Sequence, residues 1–210
     1  MVLQQLKLTL IVDRILYRPQ EDRPPVSLVE EAIAGGVSQV QLRLANSASD
    51  DISAFALALK LREITSGKVP FVVTDDLDLA EKCHADGIFL TTALSYRPSA
   101  VRDYIRSAHG IVGCYTPSVT TAARAERGGA DYVQVGPVFS SEADTADVGL
   151  ALIRKVKDAV LLPVIAFGGV SSLEQARKAI GAGAAGIAVT DAILAADDPR
   201  AAAASYAALL

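Results

Sequence analysis

The stretch Gly129-Ala130-Asp131-Tyr132-Val133 leads from a turn of small residues into a short apolar run. The same arrangement recurs three more times, in Gly36-Val37-Ser38-Gln39-Val40, His84-Ala85-Asp86-Gly87-Ile88 and Gly183-Ala184-Ala185-Gly186-Ile187. The glycine, or the histidine in its place, returns every 45 to 54 residues, which fits one strand–helix–strand–helix unit. Four such units predict eight strands, enough to close a barrel within about 200 residues.

Eight apolar runs lie at the positions that this repeat requires. They are rich in valine and isoleucine, and few polar residues interrupt them, as is typical of parallel strands buried on both faces. The runs cover residues 8–13, 38–42, 70–74, 87–90, 111–114, 131–135, 163–166 and 186–189. Amphipathic segments between them, including 27–35, 51–65 and 171–181, predict helices. The spacing of Ser171 and Glu174 predicts a capping box at the start of the last one.

This alternation predicts an α/β protein with one domain over residues 1–210, a single (β/α)8 TIM barrel. An open, doubly wound sheet is the alternative architecture. Such a sheet usually has fewer strands and often carries a GxGxxG turn, which this sequence lacks.

Composition argues against several classes of protein. Hydrophobic residues make up 51% of the chain and charged residues 21%, which is typical of a globular protein. The net charge of −4 and the lack of a lysine or arginine cluster argue against nucleic acid or an anionic membrane as a partner. No apolar run approaches the roughly 18 residues of a membrane span. Residues 1–7 do not read as a signal peptide, so a cytoplasmic location is expected.

Cysteine and histidine are scarce. Cys83 and Cys114 are far apart and show no metal-ligand spacing, so we expect two small buried side chains rather than a disulfide or a zinc site. The two histidines are His84 and His109, and neither follows a predicted strand. A histidine base at the end of a strand is therefore not expected.

The residues that follow the strands are the place to look for a site, because barrels of this type bind ligands at the C-terminal ends of their strands. Phe167-Gly168-Gly169-Val170 follows the seventh run, where glycine lets backbone N–H groups approach an anion at a helix N-terminus. A tight turn without a ligand is the alternative. Arg43 directly follows the second run and is the best candidate cation, with an ion pair to Asp13 or Asp75 as its alternative.

Five segments resemble the thiamin phosphate synthase/TenI family. Residues 8–13 (LTLIVD) resemble LYLITD, 40–43 (VQLR) resemble the start of VQLREK, and 73–80 (VTDDLDLA) resemble INDRVDLA. Residues 129–139 (GADYVQVGPVF) are close to GADYIGVGPIF, and 164–170 (VIAFGGV) resemble VVAIGGI. The resemblance is collinear and covers nearly the whole chain, and it implies a TIM barrel.

The resemblance also implies a reaction and a set of ligand residues. The family joins a hydroxymethylpyrimidine diphosphate to a thiazole phosphate, with Mg²⁺ on the diphosphate. By resemblance, Gln41 and Arg43 contact the pyrimidine diphosphate and Asp75 binds Mg²⁺. The remaining ligand candidates, at the ends of later runs or in the loops after them, are Tyr115, Ser141, Gly168, Gly169 and Thr190. No other cofactor is implied.

Several positions depart from the family pattern. A lysine is replaced by Ala45, and the lysine that ends the family loop PTxTK is replaced by Asp144. The second magnesium-binding aspartate falls in residues 91–94 (TTAL), which hold no carboxylate. Serines are replaced by Tyr115 and by Asp191, whose carboxylate either caps the last helix or competes with a phosphate. We therefore expect weak Mg²⁺ binding and a poor synthase.

Three functions stay open at this point. The first is an active thiamin-pathway enzyme, either the synthase or a thiazole tautomerase of the TenI branch, whose two histidines fall at Pro137 and Pro117. The second is a diverged barrel enzyme that acts on another small heterocycle, and the third is a non-catalytic binding or regulatory member. The expected partner is a small-molecule substrate, and a homo-oligomer is left open.

Overall fold

The computed structural model describes residues 6–13, 24–44, 52–92, 98–104, 110–139 and 146–210. The parallel strands are β1 (Leu8–Asp13), β2 (Gln39–Arg43), β3 (Phe71–Thr74), β4 (Gly87–Leu90), β5 (Ile111–Thr116), β6 (Tyr132–Val135), β7 (Val164–Phe167) and β8 (Gly186–Val189). The helices are α1 (Pro25–Ala34), α2 (Ile52–Thr65), α3 (Leu77–Lys82), α4 (Pro98–Tyr104), α5 (Val119–Arg127), α6 (Ala146–Ala159), α7 (Leu173–Gly181), α8 (Asp191–Leu194) and α9 (Pro199–Ala207).

Each strand pairs with the next, and β8 pairs with β1, so the sheet is a closed barrel. The predicted TIM barrel is confirmed, and the open doubly wound sheet is wrong. The predicted strand bounds hold to within two residues at each end. Outward side chains of the strands pack under the helices, whereas inward ones such as Ile11, Val72 and Ile165 fill the barrel itself.

Four identical turns explain the sequence repeat. In the turn after α5, the Gly129 N–H donates to the Glu126 carbonyl and the Ala130 N–H to the Ala125 carbonyl. This is the Schellman pattern, which needs a left-handed residue just past the helix. Gly36, His84, Gly129 and Gly183 fill that position with φ of 107°, 53°, 90° and 102°, and the same two hydrogen bonds recur in each turn. Each turn aims the chain into an even-numbered strand.

The cap of α7 differs from the prediction by one residue. Ser172, not Ser171, is the N-cap, and its side chain accepts a hydrogen bond from the Gln175 N–H. Gln175 Oε1 accepts from the N–H and the hydroxyl of Ser171, while Glu174 pairs with Lys178. The predicted capping box of Ser171 and Glu174 is therefore wrong, because the side chain that accepts from the backbone N–H of Ser171 is that of Gln175 and not that of Glu174.

Candidate functional site

A cavity of about 250 Å³ opens at the carboxyl ends of β7 and β8. It is lined by Arg43 from β2, by residues 167–171 and by residues 188–192. The N-termini of α7 and α8 both border it, with Thr190 as the N-cap of α8. The first N–H groups of a helix have no acceptor within the helix. At α7 the Gln175 side chain and the Ser172 cap already bind the N–H groups of Ser171 and Gln175, and α8 is a short helix of four residues.

Gly168 and Gly169 form the floor of this cavity in left-handed conformations, with φ of 87° and 75°. A Cβ on Gly169 would overlap the carbonyl oxygen of Phe139, and one on Gly168 would lie 2.8 Å from Pro137. The Phe139 N–H donates to the Gly168 carbonyl at 3.0 Å. Glycine is thus required for the turn itself, and binding of an anion by the pair stays a prediction.

Arg43 was predicted either to bind an anion or to form an ion pair with Asp13 or Asp75. In the structure it forms the ion pair with Asp13. The Arg43 Nε donates to Asp13 Oδ2 at 2.6 Å, and an Nη atom contacts the same oxygen. Asp13 is 1% exposed, whereas the Arg43 side chain is about one-third exposed, at 36%, and borders the cavity. A guanidinium has five N–H donors, so this pair does not consume its capacity for an anion.

Gln41 is buried in the barrel interior, with 1% of its surface exposed to solvent. Its Nε2 donates to Thr74 Oγ1 at 3.1 Å, and its Oε1 accepts from Gln134 Nε2 at 2.7 Å. Gln134 was not among the sequence candidates. The signal that could have found it is the family pattern GADYIGVGPIF, in which a glycine stands at this position.

Asp75 and Asp76 diverge at the end of β3. The Asp75 carboxylate accepts hydrogen bonds from the Thr91 N–H, at 2.8 Å, and from the Thr91 hydroxyl. Asp76 instead caps α3 by accepting from the Leu79 N–H at 2.9 Å. Within the part of the chain that the structure describes, no three His, Cys, Asp or Glu residues are grouped so that they could hold a metal ion.

An aromatic pair stands beside the cavity. The Tyr115 hydroxyl donates to the Gly136 carbonyl at 2.7 Å, and its ring meets the edge of Phe167 with centroids 6.3 Å apart. Burial raises the pKa of Tyr115, so the phenol stays protonated at neutral pH. Phe167 belongs to the glycine turn motif but was not predicted to be a site residue in its own right.

The remaining residues discussed from the sequence lie either far from the barrel mouth or outside the described residues. Ser141, Ala45, Leu94, Asp144 and His109 lie outside the described ranges. His84 is exposed in the turn before β4, at the opposite end of the barrel.

The two thiols are buried and free, as predicted. Burial raises the pKa of Cys83 to about 11 and that of Cys114 to about 12. A nucleophilic cysteine needs a depressed pKa, so neither thiol is suited to that role.

Comparisons with known proteins agree with the fold and the motifs. A family described as "Thiamine monophosphate synthase" matches residues 8–193. The thiamine-phosphate synthase of Clostridium acetobutylicum is 35% identical over 193 residues, covering 90% of this chain and 88% of the relative. That of Natronomonas pharaonis is 38% identical over 184 residues, covering 85% and 84%.

Comparison with solved structures also finds a similar protein of thiamine phosphate synthesis. The thiamine phosphate pyrophosphorylase from Pyrococcus furiosus superposes with a TM-score of 0.82 at 31% identity, covering 100% of this chain and 97% of that one. An N-acetylmannosamine-6-phosphate 2-epimerase from Clostridium perfringens, at 17% identity and a TM-score of 0.65, shares the fold alone. Among the described helices, none is both long and apolar enough to cross a membrane. By sequence and by structure, the chain belongs to the thiamine monophosphate synthase family.

Proposed function

We propose that this barrel binds a small phosphorylated ring of the thiazole or pyrimidine type, with its phosphate in the cavity between β7 and β8, and that its thiamin phosphate synthase activity is low. The observation that carries the proposal is the cavity itself, which is lined by the glycine turn before α7, by the first residues of α8 and by Arg43. That the protein is located in the cytoplasm stays a prediction from the sequence.

The cavity has the donors that a phosphate needs. Helix N-termini present backbone N–H groups and a partial positive charge, and barrels often bind phosphate after strands seven and eight. The left-handed Gly168 and Gly169 let the backbone of the turn pack directly against Pro137 and Phe139 while it lines the cavity. Arg43 adds a full positive charge at the rim.

Asp191 opposes the phosphate. It is the first residue of α8 and lines the same cavity, where the family pattern has a serine. The sequence left open whether Asp191 caps the helix, but the cap position belongs to Thr190, whose side chain makes no cap hydrogen bond. A carboxylate next to a phosphate weakens binding by Coulomb repulsion, which water screens in part.

Replacing Asp191 by serine should therefore tighten the binding of thiazole phosphate by about fivefold to tenfold. Calorimetric titration of both proteins measures the change. The matched control is Asp158→Ser, which removes the same charge from an exposed position in the last turn of α6, at the far end of the barrel. Equal gains in the two variants would mean that net charge, and not the cavity, governs binding.

The residues do not fit a strong Mg²⁺ site. Magnesium needs a near-octahedral set of oxygen ligands. The Asp75 carboxylate already accepts two hydrogen bonds from Thr91, and residues 91–94 offer no second carboxylate. We expect Mg²⁺ alone to bind with a dissociation constant of ~1 mM or weaker. Calorimetry that shows micromolar binding without a diphosphate would contradict this expectation.

A second candidate is a diverged barrel enzyme that acts on another small phosphorylated heterocycle. The observation that favours it is the aromatic pair of Tyr115 and Phe167, because an aromatic surface beside a phosphate site can pack against a ring. The ligand panel that separates the two candidates contains thiazole phosphate, hydroxymethylpyrimidine diphosphate and unrelated phosphorylated rings. Preference for an unrelated ring would favour the second candidate.

A further inference from the structure

Three large side chains stand together on neighbouring strands at one side of the barrel mouth. Tyr115 on β5 and Gln134 on β6 are register partners. Gln134 in turn pairs with Ile165 on β7, and Phe167 lies two residues further along that strand. Residues two apart in a strand point to the same face, so Phe167 shares the inward direction of Ile165. We call Tyr115, Gln134 and Phe167 the β5–β7 wall.

The upper part of the wall is closed by direct contacts. The Tyr115 hydroxyl donates to the Gly136 carbonyl at 2.7 Å, and its ring packs edge-on against Phe167. Phe167 also covers Gly136, since a Cβ built there would overlap the Phe167 carbonyl oxygen and lie 3.2 Å from a ring carbon. The backbone and ring of Phe167 therefore leave no room for a side chain at position 136, and the Tyr115 hydroxyl joins β5 to the end of β6.

Gln134 closes the lower part. It is fully buried, and its Nε2 donates to Gln41 at 2.7 Å. Its Oε1 has no hydrogen-bond partner among the described residues. Below it, the Tyr132 ring lies across Gly113 and stacks on Phe89 at 6.2 Å. The interior on this side is thus filled with side chains.

Each member of the wall is larger than the residue in the family pattern that the chain resembles. Tyr115 stands for a serine, Gln134 for the second glycine of GADYIGVGPIF, and Phe167 for the isoleucine of VVAIGGI. These three larger side chains lie on three adjacent strands, and together they reduce the space on this side of the barrel interior. Between the described residues of β7 and β8, open space lies on the other side of Phe167, in the cavity of about 250 Å³.

A synthase must hold two substrates side by side, because a bond forms between them only when the reacting atoms are in near contact. Pockets for a single drug-sized ligand commonly measure about 300–1,000 Å³. The open cavity is smaller than that range and suits one small phosphorylated ring. A second ring would need further space beside this cavity, and toward β5 and β6 the interior is filled by the wall.

We propose that the β5–β7 wall determines specificity by admitting one phosphorylated ring and excluding a second substrate. Gln134 acts as a positioning residue within the wall, since its hydrogen bond to Gln41 holds that amide against Thr74 and away from a ligand. The inference rests on the proposed function, because it assumes that a phosphorylated ring occupies the cavity between β7 and β8.

The test is a competition experiment that needs no variant. The unmodified protein is titrated with hydroxymethylpyrimidine diphosphate, first alone and then saturated with thiazole phosphate. If one compartment serves both ligands, thiazole phosphate weakens the apparent affinity for the diphosphate at least tenfold. Equal affinities in the two titrations would overturn the inference while leaving the proposed function intact. Failure to bind thiazole phosphate, hydroxymethylpyrimidine diphosphate and inorganic phosphate alike would refute the proposed function and the inference together.

The double variant Tyr115→Ser, Gln134→Gly opens the wall and should relieve the competition, so that both ligands bind together. Gln39→Met is the matched control, because Gln39 is another buried glutamine of the barrel interior that bonds to Thr9 instead of Gln41. Competition in this control should stay as in the unmodified protein. Thermal melting shows that each variant is folded, and a folded double variant with undiminished competition would overturn the role of the wall.

Discussion

Gly169→Ala is expected to lower the free energy of unfolding by about 3 kcal/mol or more, which is a large part of the stability of a typical domain. Alanine at φ of 75° costs about 1–2 kcal/mol on its own. The new Cβ would also overlap the Phe139 carbonyl oxygen, which is backbone and cannot rotate away. Relief requires movement of residues 137–139, and with it loss of the hydrogen bond from Phe139 to Gly168.

Two other glycines separate the causes of this effect. Gly67 has φ of 70°, and no atom lies within 4 Å of the position that a Cβ would take there, so Gly67→Ala measures the backbone cost alone. Gly181 in α7 has neither a positive φ nor a close neighbour, so Gly181→Ala should be neutral or stabilising. Thermal unfolding should rank the three variants in this order. A Gly169→Ala protein as stable as Gly67→Ala would show that the turn can move freely.

The second large effect concerns catalysis. We expect the unmodified protein, given both phosphorylated halves and Mg²⁺, to form thiamin phosphate at well below ~1 s⁻¹, the lower end of ordinary enzyme rates. The leaving diphosphate carries the developing negative charge, so its departure depends on cations fixed around it. By resemblance, two of those cations are lost at Ala45 and Asp144, and loss of one such group commonly costs about a hundredfold in rate.

The test compares the unmodified protein with the double variant Ala45→Lys, Asp144→Lys. The variant should gain at least about tenfold in rate, and adding Tyr115→Ser and Gln134→Gly should raise it further, because charge and space are separate obstacles. A control that adds two lysines at exposed positions remote from the mouth, Glu81→Lys and Asp158→Lys, should gain nothing. Turnover of the unmodified protein at ~1 s⁻¹ or faster would show that the assignment of the diphosphate site is wrong.

The barrel could be predicted because its signals are local and repeated. Buried parallel strands leave uninterrupted apolar runs, and each Schellman turn demands a left-handed residue at a fixed distance from the strand. The partner of Arg43 could not be chosen in the same way, since Asp13 ends one strand and Asp75 directly follows another. The register of β1 against β2 decides it by placing Asp13 opposite Arg43.

Gln134 was missed for a related reason. Alternation along β6 shows that Tyr132 and Gln134 point to the same face, but it does not show how far up the barrel each one lies. That height depends on the tilt of the strands and on the register between β5 and β6. The cap at Ser172 was missed because two serines precede the helix, and the spacing from Ser171 to Glu174 matched a capping box by chance.

The four Schellman turns also determine where the chain can change its length. Insertion of a single residue between such a turn and the strand after it would move every side chain of that strand to the opposite face of the sheet. Inward residues such as Gln134 would then point at the helices, and apolar residues such as Val133 would point at the interior. Segments at the other end of the barrel follow the strands, and among them the turn after β7 is itself constrained by Gly168 and Gly169. A change of length in a connection at the mouth other than this turn leaves the register of the preceding strand unaltered, so we expect new ligands to be accommodated there with the scaffold intact.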